Sequence, residues 1–147
     1  MTPVLVGELN PYGEEPEYAL YPSPEGSAGY RLCCMIFGMR RLDYLRTFER
    51  VNLCVGEWSM RAARARATQL ADDDDNMLVL LGARVASAFD LPYRPFETFG
   101  EDMLVLPHPS GLCRVWNEPD AVLRARIASI QFFRPYLPEV AGAIAEP

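Results

Sequence analysis

The chain has 147 residues, half of them hydrophobic, and a net charge of −6. That is enough for one domain with a real core and too little for two. No apolar run approaches the roughly 20 residues that cross a bilayer, and the acidic balance argues against a broad nucleic-acid-coating surface while leaving room for a local basic site.

The first predicted element is a buried strand at 3–7, a short apolar run ending in Gly7. Residues 8–26 are rich in proline, glycine and carboxylates and cannot form a regular element. Tyr12, Tyr18, Tyr21 and Tyr30 stand in or beside this stretch, and aromatics oppose disorder. It therefore reads as an ordered loop over the sheet edge. Residues 27–39 predict a helix capped by Ser27, with Leu32, Met35, Ile36 and Met39 on one face. A second helix is expected at 41–49 with Leu42, Leu45 and Phe48 inward, then a strand at 50–55. Residues 59–71 form a strong helix, capped by Ser59 and rich in Ala and Arg. The four aspartates 72–75 read as a solvated break, because a metal cage needs ligands converging from several directions. A strand at 77–81, a helix at 83–89, a connecting loop at 91–101 and a fourth strand at 103–106 follow. A helical turn is expected at 111–117 and a last helix at 119–133, with a frayed tail beyond Pro138.

Strands alternate with helices, and the strands are continuous apolar runs. That pattern means a parallel sheet covered on both faces. The expected fold is α/β, a three-layer α/β/α sandwich with a four-stranded parallel sheet, as one domain over residues 1–147. The cysteines Cys33, Cys34, Cys54 and Cys113 form no Cys-x-x-Cys pair, so no metal site and no cofactor is expected. Free thiols and the lack of a signal-type N-terminus fit a cytoplasmic protein. All 14 basic residues are arginines, whose forks match phosphate geometry.

Two segments stand at carboxyl ends of predicted buried strands, where open α/β sheets bind ligands. One is Gly7-Glu8-Leu9-Asn10-Pro11-Tyr12-Gly13. The other is His108-Pro109-Ser110-Gly111-Leu112, which contains the only histidine of the chain. Together they resemble the two signature motifs of the uracil-DNA glycosylase superfamily: Gly followed by an acid or amide and then Pro, and His-Pro-Ser-x-Leu. Weaker matches follow in order. Gly26-Ser27-Ala28-Gly29 resembles the Gly-x-Ala-Gly segment of the thermostable branch, Asn52 its pyrimidine-reading asparagine, and residues 78–83 its Leu-Leu-Gly turn.

The resemblance implies a DNA glycosylase that hydrolyses the N-glycosidic bond of uracil or another altered base flipped out of DNA. In that role Glu8 or Asn10 would position water and stabilise the positive sugar. His108 would donate to the leaving base, and Asn52 would read its edge. Ser110, Gly111, Leu112 and Arg114 would contact DNA, with Leu112 as the wedge. The chain departs from the family pattern in three ways. The first motif carries one extra residue, so Glu8 and Asn10 compete for the same role. The iron–sulfur cysteines are unmatched. The base-stacking Phe is missing, leaving Tyr12 or Tyr21 to replace it. The alternative is a catalytically weak or inactive relative that binds a nucleobase, nucleotide or protein partner.

Overall fold

The structure is a computed structural model that describes every residue except Pro11, Tyr12 and Glu14. Its strands are β1 (Thr2–Gly7), β2 (Glu49–Asn52), β3 (Asn76–Leu81), β4 (Thr98–Phe99) and β5 (Met103–Leu106). Helix α1 starts as an α-turn, Ala28–Tyr30, and widens into a π-helix over Arg31–Ile36. The others are α2 (Arg41–Thr47), α3 (Met60–Asp72), α4 (Ala83–Ala88), α5 (Ala121–Phe133) and α6 (Pro138–Ala143). Short 3₁₀ turns lie at Pro16–Tyr18 and Arg114–Asn117.

The fold is α/β, with strand order β2-β1-β3-β5-β4. The first four strands run parallel and β4 pairs antiparallel to β5. The sheet is thus mixed and five-stranded, not the four-stranded parallel sheet expected. The extra strand lies inside 91–101, the expected loop. Two residues are too few to show a period, and the strand forms because Phe96 N–H and the Glu97 carbonyl both bond the Val105 backbone.

Side chains alternate across each strand. Leu5, Val79, Leu81, Leu104 and Leu106 pack with residues of α1, α2, α5 and α6, among them Ile36, Tyr44 and Phe133. Val4, Val6, Leu78, Leu80 and Val105 pack on the opposite side with Ala63, Ala67 and Val85 of α3 and α4. Burial on both faces is the reason the strands read as unbroken apolar runs. From β1 the chain moves out to β2 on one side, then crosses back to β3 on the other. The direction of winding reverses between β1 and β3, and at such a switch point a crevice opens beyond the carboxyl ends of the strands.

Four local expectations need correction. Phe37 N–H bonds the Leu32 carbonyl, five residues back, so the π-helical turn rotates later side chains off the α period. Met35 is consequently 45% exposed and Phe37 is buried instead. In α2, Leu42 is 63% exposed and Tyr44 is buried instead, while Phe48, just past the helix, is buried as expected. The tail is not frayed. Pro138 opens α6, Val140, Ala141 and Ile144 are buried, and Ala145 N–H donates to the Phe37 carbonyl. The second strand is also shorter than expected, ending at Asn52.

Candidate functional site

A cavity of about 770 Å³ opens at the switch point. It lies in the size range of small-ligand sites. Its floor is the carboxyl ends of the parallel strands: Gly7 at the end of β1 and Glu8 after it, Asn52 at the end of β2, Leu81 of β3 and His108 after β5. Strand register explains the convergence. Gly7 pairs with Asn52 and Leu81 with Leu106, so residues just beyond these pairs sit side by side. The pairing of β1 and β2 continues past the strands, as Leu53 N–H bonds the Gly7 carbonyl and Cys54 N–H the Glu8 carbonyl, both at 3.0 Å. Glu8 is therefore held by backbone hydrogen bonds on a rigid edge.

The roof is the irregular segment 15–26 and the start of α1. Tyr44 Oη donates to the Leu20 carbonyl at 2.8 Å, and Arg50 donates to the carbonyls of Glu17 and Ala19. These bonds anchor a stretch whose only regular structure is the 3₁₀ turn Pro16–Tyr18. Helix α1 presses against it at Gly29, where a Cβ would collide with the backbone carbonyls of Leu20 and Tyr21. No other residue fits that approach. Ser27 caps α1 by accepting from Tyr30 N–H at 3.2 Å. Tyr18 and Tyr21 also line the cavity and meet edge to face, ring centres 5.5 Å apart.

His108 is half-buried. Its Nδ1 accepts from the Ser110 backbone N–H at 3.0 Å. That bond needs a lone pair on Nδ1, so the ring is neutral and carries its proton on Nε2. Burial lowers its pKa below the ordinary 6.5, against the opposing pull of the Glu8 charge. Behind the ring stands Gly82, at φ +101°, where an added Cβ would meet the His108 Cβ at 3.1 Å. A side chain there would be strained and would push the imidazole. From the other side Trp116 Nε1 donates to the His108 carbonyl at 2.7 Å. Arg84, stacked 5.5 Å from the Trp58 ring, holds its guanidinium 3.9 Å from the Glu8 carboxylate.

Of the residues singled out by sequence, Glu8, Asn10, Tyr21, Asn52, His108, Ser110 and Gly111 all line this one cavity. Leu112 lies outside it and is 93% exposed. Arg114 is exposed on the following 3₁₀ turn and does not line the cavity. Tyr12 lies outside the described residues. Sequence reasoning missed Arg31 and Arg84, whose partners Pro109 and Glu8 lie far away in the chain, and Trp116, whose partner is the backbone carbonyl of His108. Among the described residues, no group of three or more His, Cys, Asp or Glu converges as a metal cage, and no helix is long and apolar enough to cross a membrane. The chain matches no protein-family model, no curated protein and no solved structure.

Proposed function

We propose that the protein is a DNA glycosylase of the uracil-DNA glycosylase type, with a three-layer α/β/α architecture and a cytoplasmic DNA substrate. The observation that carries this reading is the meeting of Glu8, Asn52 and neutral His108 in one cavity, beside an exposed Leu112. Each group suits one demand of N-glycoside hydrolysis. As the bond from C1′ to the base breaks, its electron pair goes to the base, and His108 Nε2–H is a donor for the carbonyl where that charge collects. The sugar becomes oxocarbenium-like, and the Glu8 carboxylate stabilises it and orients water on C1′. The water oxygen bonds to C1′, one of its protons passes to Glu8, and the departing base takes up a proton from solvent. Asn52 offers both a donor and an acceptor to a pyrimidine edge, and Tyr18 and Tyr21 offer ring faces where the missing Phe would stack.

Leu112 supports base flipping, since a side chain that enters the stack must begin outside it. Arg114, exposed two positions further on, adds local positive charge to an acidic protein. The net charge of −6 favours the second reading, a nucleobase or nucleotide binder without activity. One assay separates them. Purified protein is incubated with oligonucleotides that each carry one altered base, and abasic sites are scored. Cleavage at an altered base supports the glycosylase. No cleavage across the panel, with nucleobase binding by calorimetry, supports the binder.

A further inference from the structure

The Pro109–Ser110 peptide bond is held at both ends. Arg31 Nε donates to the Pro109 carbonyl at 2.9 Å, and the Ser110 N–H donates to His108 Nδ1 at 3.0 Å. The carbonyl and the N–H belong to one planar unit, which turns as a whole. Fixing the oxygen therefore fixes the direction of the N–H. We infer that Arg31 is a positioning residue that latches this peptide and so sets the tautomer of His108.

The bond from Arg31 is charge-assisted and partly buried, which makes it the stronger of the two and polarises the amide toward better donation. If the peptide flipped, the Pro109 oxygen would face Nδ1. The ring would then carry its proton on Nδ1, and Nε2 would present a lone pair to the cavity instead of a donor. A lone pair there repels the charge that collects on a leaving base. The guanidinium also lies close to Gly111, so the latch sits at the foot of the exposed Leu112 turn. Only the importance for base release rests on the glycosylase reading; the tautomer does not.

The chain has a single histidine, so its ring signals are unambiguous. Two-bond 15N–1H correlations at mildly alkaline pH distinguish the two neutral tautomers. The wild type is expected to show Nε2–H alone. Arg31→Met keeps the side chain as far as the Nε position and removes the donor, and a mixture with Nδ1–H is expected. Arg31→Gln restores an N–H at the position of Nε without the charge, and Nε2–H alone is expected again. Circular dichroism and melting temperature report whether each variant is folded. A folded Arg31→Met that keeps Nε2–H alone overturns the inference, as does a folded Arg31→Gln that matches Arg31→Met. Should Arg31→Met not fold, Arg31→Ala is read in its place, and a folded Arg31→Ala that keeps Nε2–H alone overturns the inference, as does a wild type with an Nδ1–H ring. On a cleaved substrate, Arg31→Met is expected to lower kcat tenfold or more with KM unchanged. A wild type that cleaves nothing ends the glycosylase reading and leaves the tautomer result standing.

Discussion

Trp116 Nε1 donates to the main-chain carbonyl of His108 at 2.7 Å, while the imidazole Nδ1 accepts from Ser110 two residues on. The histidine is gripped by backbone and by side chain, so its remaining nitrogen has one direction to face. Preorganisation of this kind lets a donor act on developing charge without rearrangement.

His108→Ala is expected to lose roughly a hundred- to thousandfold in cleavage rate, about 2.7–4 kcal/mol of barrier. The stability cost is one hydrogen bond, about 1 kcal/mol, or a fall of roughly 2–4 °C in melting temperature for a chain of this size. Single-turnover kinetics and thermal melting check the two together. An unchanged rate removes His108 from the reaction.

Leu112→Ala is expected to leave the melting temperature unchanged, since the side chain contributes almost nothing to the core at 93% exposure. Cleavage of duplex substrate should fall more than cleavage of single strands, which need no wedge. Parallel rate measurements on both forms of one oligonucleotide are the test, and equal losses on the two contradict the wedge.

Glu8 and Asn10 both line the cavity. Glu8→Gln should slow cleavage strongly, because an amide stabilises a positive sugar far less than a carboxylate does. Asn10→Ala should cost less. The reverse order would assign the water to Asn10 and shift the first motif by its one extra residue.

The lowered pKa of His108 gives stability a pH dependence. The unfolded histidine titrates near 6.5. Below that value the unfolded chain binds a proton that the native ring resists, so the unfolded state gains. This contribution is fully present above about pH 6.5 and is lost as pH falls through the depressed native value. Melting temperatures measured across that window should fall less steeply in His108→Gln than in the wild type. Identical profiles would mean the native ring is not depressed.

Much of the site was legible because its main motifs are local. Gly7-Glu8 and His108-Pro109-Ser110-Gly111-Leu112 each follow a continuous apolar strand, and parallel pairing alone brings such ends together. The inward face of α1 was misread because a π-helical turn leaves no mark in an α-helical count, which put Met35 inside and passed over Phe37. In α2 the Leu42 spacing looked sound, but the core takes Tyr44, whose ring packs against Phe48 and fills more space. Arg31 was invisible for another reason. Its partner Pro109 lies 78 positions away, and a backbone carbonyl carries no sequence signature. The strand β4 escaped notice through brevity.

The cavity draws its polar groups from positions as distant as Glu8 and His108, and β5 takes its place only by pairing beside β3. Non-local pairing of this kind comes late and slowly in folding. During synthesis the first motif leaves the ribosome long before the second, and until β5 zips onto the sheet the nascent chain has a carboxylate in place but no imidazole to face it. The cavity is thus completed only when β5 joins the sheet, and a chain truncated before residue 103 lacks the His108 side of it.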